Sequence, residues 1–455
     1  MAYKLLFIVI AGISFSIIAV FVSDVLRRLY MSGIYCRLDE ARERYRGIAV
    51  AFVNGSEKEK GYTIELLRKK PGAADYAAIE EIFLDALNDA DSDGKVRALS
   101  AMEALGYVDH YIKAVEKGRA WRRALAAERL GSLRCKRAVP ALVSALKSKH
   151  FDVRSMAASA LGLIKDPSAL PHLAFALKES AKHTSKERAA LRVVKSALIG
   201  FGAEAIPFLT SGMEDADWHV RAHAVDVISE IGDPSAERFL IEALRDSEAD
   251  VRAKAAKGLG AAGSHVATRF LIPLMDDPSW VVRLHTVRTL GAIAGGIVAE
   301  DIGRGIIDSN WQVRRAAAEV LGRAGKDAVP LLCGILFHSN DGYAREQVTE
   351  EFQRSGLAGA LLGSLSSGDV SVREMAEQAL YVMGVHGAIS HLITAMDDID
   401  PLVRRRVASI LGKVGNPRAK EAIERAEKSD EDLEVRREAE KALTAMILSS
   451  TGAGV

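Results

Sequence analysis

An all-α solenoid is the fold that this sequence predicts, on three observations. Arg221, Arg252, Arg283, Arg314 and Arg345 follow one another at an unbroken spacing of 31 residues, each except the last directly after a valine. Three and seven positions beyond the arginine come apolar residues, as in Ala255 and Leu259 or Ala317 and Leu321, which is the spacing of one buried helical face. No stretch sustains the period-two alternation of a half-buried strand. A fixed period of this length marks short stacked units, none of which buries its apolar face without its neighbours.

Composition agrees with an array. At 455 residues, 49% hydrophobic and 27% charged, the chain exceeds what one globular core normally serves. Lys plus Arg number 61 against 60 Asp plus Glu, so the cationic excess that phosphate-backbone binding calls for is missing and nucleic acid is not expected as a partner. Cys36, Cys135 and Cys333 are far apart and odd in number, which argues against a disulfide framework or a zinc ribbon and for buried, reduced thiols.

Taken in order, residues 1–28 hold an uncharged run from Leu5 to Val22, flanked by Lys4 on one side and by Asp24, Arg27 and Arg28 on the other. As a helix it reaches roughly 27 Å, close to the hydrocarbon thickness of a bilayer. The run exceeds the apolar core of a secretory signal and no Ala-x-Ala site follows it, so one uncleaved transmembrane helix is expected. Arg27, Arg28, Arg37, Arg42, Arg44 and Arg46 crowd its C-terminal side, which places the rest of the chain in the cytoplasm. Residues 29–75 read as a juxtamembrane connector, either resting its arginines on anionic headgroups or forming a solvated helical spacer. The Asn54-Gly55-Ser56 and Pro71-Gly72 steps interrupt it.

The solenoid is expected over 76–447, with a loose tail over 448–455. Register arginines fall at Arg97, Arg123, Arg154, Arg192, the five above, Arg373, Arg404 and Arg436, about twelve repeats. The step from Arg154 to Arg192 is too long, which predicts an extended helix end or loop over Lys178–Lys186. Each repeat reads as two antiparallel helices. Asp217, Ser279, Asn310, Asp341, Asp369 and Asp400 stand four residues before the arginine as N-caps of the second helix, with Pro401, Trp218, Trp280 and Trp311 at the first helical position. Gly260, Gly291, Gly322 and Gly412, eight residues after the arginine, allow close approach of a neighbouring helix. Gly263, Gly295, Gly325 and Gly415 close the helix with a left-handed cap. Asp166-Pro167, Asp233-Pro234 and Asn416-Pro417 then start the next first helix.

The Asp-Pro-x-Ala start, the Val-Arg-x-x-Ala-x-x-x-Leu-Gly second helix and the period of 31 resemble the short HEAT repeats of bacterial and phycobilisome-lyase type, over roughly residues 90–445. The resemblance implies a right-handed α-α superhelix of the HEAT/armadillo kind, with second helices lining its concave side. It speaks for fold, not activity. Arg123 without a preceding valine and Ala344-Arg345 depart from the pattern, and the charged last repeat reads as a polar cap.

No catalytic constellation, phosphate loop or cofactor motif is evident, and no cofactor is expected. The repeated arginine reads as structural, bonding carboxylates or carbonyls of an adjacent turn. His219 and His223 have the spacing of a metal pair but lack a third ligand. Positions two and five after the arginine face outward on the second helix and supply His223 and Asp226, Lys254 and Lys257, then His285 and Arg288. The candidate partner-binding surface is therefore His223, Lys254, Lys257, His285 and Arg288, a mildly basic patch suited to an acidic protein segment. The expected role is a membrane-anchored scaffold that binds protein partners. The alternatives are a HEAT-like enzyme, such as a chromophore lyase or DNA glycosylase-type protein, and the same scaffold on the non-cytoplasmic side.

Overall fold

Why the repeats form is visible in the computed structural model, which describes residues 2–54, 60–69, 74–89, 92–181 and 188–451. Every regular element among them is helical. The chain divides into two units, Met1–Phe201 and Gly202–Val455.

The N-terminal unit opens with one continuous helix, Ala2–Asn54. The backbone of the expected span, Leu5–Val22, is thus helical, while the side chains of residues 1–19 lie outside the described ones; Val20, Phe21 and Val22 are exposed. The connector differs from expectation. Ala41, Tyr45, Ala49 and Val53, four apart among the arginines and glutamates, are buried as one stripe that packs on the helix Ala74–Asp89. Tyr45 donates to Asp75 at 3.0 Å and Arg42 pairs with Glu81, so this segment is part of the packed array and not a solvated spacer. Tyr107, fully buried, lies against the Tyr76 ring at 4.1 Å and donates its hydroxyl to the Tyr76 carbonyl at 2.8 Å.

Helix pairs follow: Tyr107–Lys117 with Ala120–Ser132, Val139–Ala145 with Phe151–Ile164, and Leu170–Ala181 with Arg188–Phe201. The long step between Arg154 and Arg192 is taken up in part by a 12-residue first helix, Leu170–Ala181, where the preceding one has 7. Residues 182–187, within the expected loop, lie outside the described ones. Of the cysteines, Cys135 and Cys333 are buried as expected, but Cys36 is exposed.

In the C-terminal unit the second helices Trp218–Ile231, Ala249–Ala261, Trp280–Ile293, Trp311–Arg323 and Gly342–Arg354 pack on one another in sequence order. Val370–Val385, Pro401–Val414 and Leu433–Thr451 form a second such row, the last helix continuing past residue 448 where a tail was expected. Asp217, Asn310, Asp341, Asp369 and Asp400 each accept the N–H two residues ahead, as the cap reading requires. Ser279 does not; the Asp277 carboxylate takes the Ser279 N–H instead, at 2.8 Å. Gly263 and Gly415 close their helices at φ of 66° and 65°.

Close approach fixes the glycines eight residues after the arginine. A Cβ on Gly412 would stand 2.7 Å from the backbone of Ala442, and one on Gly260 would stand 3.0 Å from the Thr289 hydroxyl. Gly291 meets Val320 and Gly322 meets Glu351 in the same way. Each partner lies six residues after the next register arginine. Where the first position holds Ser229, the second is Gly258, so the pair exchanges its large and small members and keeps the spacing.

Candidate binding surface

The register arginines are the frame on which the surface is carried. Arg221 donates to both carboxylate oxygens of Asp246 at 2.7 and 2.8 Å, Arg252 to Asp277 at 2.8 and 2.9 Å, Arg283 to Asp308 at 2.6 and 2.8 Å, and Arg404 to Asp430 at 2.9 and 2.8 Å. Each arginine also reaches back six residues to a backbone carbonyl: Arg252 to Asp246 at 2.9 Å and Arg283 to Asp277 at 2.7 Å. The same aspartates accept the N–H two residues ahead, Asp246 from Glu248 at 2.9 Å and Asp308 from Asn310 at 2.7 Å. One aspartate thus holds the preceding second helix, by its arginine, and starts the next. Burial would raise the Asp308 carboxyl, but the Arg283 donors and the Asn310 N–H outweigh it and hold it below the usual carboxylate range. The ladder lapses over the slots at Ser339, Ser367 and Asp398: Arg345 and Arg373 bond only serine carbonyls, at 2.8 and 2.9 Å, and among the described residues Arg373 has no bond to Asp398, 25 residues ahead. These aspartates were not singled out in the sequence, although Asp215, Asp246, Asp277 and Asp308 recur at the arginine's own spacing, six residues before it.

On this frame the structure brings three of the five candidate residues together. Lys257 and Arg288 are exposed on the adjacent helices Ala249–Ala261 and Trp280–Ile293, with no ion-pair partner among the described residues. His285 lies half-buried beside them. Burial first, then the positive charges of Arg288 and Lys257, push its imidazole below its ordinary proton affinity, against a smaller pull from Asp250. The other two candidates behave differently. Lys254 is bound to Asp250 at 2.5 Å, one helical turn away, and its side chain is only 22% exposed. His223 is half-buried on the preceding helix and is not among the charges acting on His285. The position two residues after the arginine is therefore an edge position and not an outward one.

His219 is engaged locally. Its ring stacks on Trp218 at 3.8 Å and its Nδ1 is 2.9 Å from the Asp217 carboxylate. Among the described residues no group of three His, Cys, Asp or Glu side chains converges as metal ligands would. In the N-terminal unit a cavity of about 310 Å³ is bordered by Leu146, His172, Phe175 and Val194, with Arg154 donating to the Ser148 carbonyl at its wall at 2.7 Å.

A sequence profile described as HEAT repeats matches residues 108–192, 180–260, 206–291, 268–353 and 358–444. The chain belongs to the HEAT-repeat family. The HEAT matches leave a gap after residue 353, within the stretch where the aspartate ladder lapses and the arginine step shortens to 28 residues. Among curated proteins none matches the chain. Similar solved structures include an engineered protein (18% identity over 75% of this chain and 98% of that one, TM-score 0.30). They also include the karyopherin Kap121p (13% identity, 90% and 54%, TM-score 0.43), so this HEAT-repeat chain spans about half of Kap121p. A third is the complex of CpcE and CpcF of phycocyanin lyase from Nostoc sp. PCC7120 (19% identity, 62% and 94%, TM-score 0.25).

Proposed function

We propose that this HEAT-repeat protein is a scaffold that binds an acidic segment of a protein partner across Lys257, His285 and Arg288, tethered to a membrane by residues 5–22 with its repeats in the cytoplasm. The observation that carries the reading is the pair of exposed cations on adjacent second helices, held in register by the arginine–aspartate ladder beneath them. Cations fixed at a set separation select carboxylates at a matching separation, and they steer encounter before contact. Burial and the neighbouring cations disfavour the protonated form of His285, whose neutral ring offers one hydrogen-bond donor and one acceptor without adding charge. Tethering raises the effective concentration of two partners without new contacts.

The test is crosslinking in intact membranes followed by mass spectrometry, with the native chain and the Lys257→Glu, Arg288→Glu variant. A protein captured by the native chain and lost from the folded variant is the expected result. Equal capture by both would reject this surface, and capture of no protein by either would turn attention to an enzymatic role. A topology reporter fused after Val455 tests the cytoplasmic placement; a non-cytoplasmic signal would move the same scaffold to the other side.

A further inference from the structure

The ladder leaves one edge of the C-terminal unit unaccounted for. Trp218, Trp280 and Trp311 are the first residues of their second helices, and Tyr343 and Leu402 the second residues of theirs. Ile399 stands just before the Asp400 cap. All six lie at the same end of their repeats, where the first helix turns into the second, and all six are exposed: Ile399 97%, Tyr343 69% and Trp311 57%. Large apolar side chains repeated along one edge mark an interaction site.

We propose that this aromatic rim rests in the interfacial layer of a lipid bilayer. Three observations point to lipid and not to protein. The side chains stand one or two to a turn with a gap at the Ala249 turn, a broken row that enters a soft headgroup layer, whereas anchors between proteins are seated in packed, desolvated pockets. Their chemistry is that of the membrane interface, where an indole or phenol keeps its apolar ring in and its polar tip wet. And most of the cations beneath the rim are balanced: Arg221, Arg252, Arg283 and Arg404 each hold a two-point carboxylate bond, Arg314 acts on the Asp308 carboxylate and Arg373 on that of Asp369, while Arg345 bonds only a serine carbonyl. A rim with few unbalanced cations fits zwitterionic lipid and predicts little dependence on salt. The surface is distinct from the Lys257–Arg288 patch, so either can fail alone.

The test uses the full chain with phosphatidylcholine vesicles and single-tryptophan variants. One keeps only Trp311 and another only Trp218, the remaining indoles being replaced by phenylalanine. A control carries its sole indole as Phe239→Trp on the first helix Glu237–Ala243. Replacing plain lipid by its brominated form should quench Trp311 and Trp218 emission roughly twofold and leave the control unchanged, since bromine quenches only on contact with rings at interfacial depth. Equal emission in both lipids overturns the proposal. Blue-shifted but unquenched emission also overturns it, and assigns the rim to a protein partner or a second copy. Flotation reads the tether separately: if the chain does not float, vesicles are added to the soluble chain and the same quenching decides.

Discussion

The carboxylate of Glu351 occupies the space that a side chain on Gly322 would need. Glu351 is 2% exposed and is bonded by Arg354 at 2.8 Å, so a charged group stands at an interhelix contact that carries alanine, threonine or valine in other repeats. Replacing Gly322 with alanine forces the two helices apart and should cost on the order of 1–3 kcal/mol, read as a lower midpoint in thermal unfolding. The double variant Gly322→Ser, Glu351→Gly copies the Ser229–Gly258 arrangement and should recover most of that loss. A double variant no better than the single one would refute the contact as the cause.

The ladder makes a second prediction. Asp308→Ala leaves Arg283, whose side chain is 13% exposed, without its carboxylate and removes an N–H acceptor at the next helix start. The expected loss is about 3–5 kcal/mol in denaturant unfolding. Arg315→Ala, at an exposed one-turn pair with Glu319, should change stability by less than about 1 kcal/mol. Similar losses from both would sink the ladder as a distinctive support.

Restoring a rung should strengthen the fold. Ser339→Asp places a carboxylate 25 residues after Arg314, the separation of three of the four observed pairs, and keeps the acceptor that Ser339 Oγ gives the Asp341 N–H at 3.1 Å. A gain of about 1 kcal/mol is expected, with slower hydrogen exchange over 339–354. Unchanged exchange there would show that serine already suffices.

Stability against pH should carry two opposed contributions. The Arg404 donors hold the Asp430 carboxyl below its usual range, so its stabilisation is fully present above the unfolded carboxylate value of about 3.9 and is lost as pH falls through the lower folded value. Burial raises the Glu351 carboxyl despite Arg354, so its folded state binds the proton more tightly and stability falls as pH rises from about 4.3 through the raised folded value. Glu351→Gln should remove the second slope and Asp430→Asn the first. Urea midpoints between pH 3 and pH 7 measure both, and parallel curves for all three chains would contradict the assignment.

Local rules made most of the repeat legible in advance. Caps such as Asp217 and Asp400, closing glycines such as Gly415 and the close-approach glycines depend on residues a few positions apart or on a fixed register. What escaped depends on longer reach. The pairing of Arg283 with Asp308 joins residues 25 apart across two repeats. The buried stripe Ala41–Val53 was hidden by the arginines and glutamates around it, because a face of two alanines, a tyrosine and a valine is small beside the charges it interrupts. At the candidate surface, counting along a helix anticipated that Lys257 and Arg288 are exposed, but counting could not show that Asp250 claims Lys254.

The shared aspartates also determine how the molecule carries load. Tension along the C-terminal unit passes from rung to rung as shear on paired charge-assisted bonds, each anchored to the helix behind and to the one ahead. At Ser339 and Ser367 that path narrows to single carbonyl bonds. The stretch from Ser339 to Asp398 is the expected weak point: under pull it should yield before the Arg283–Asp308 and Arg404–Asp430 rungs on either side, and a force–extension trace should record that order.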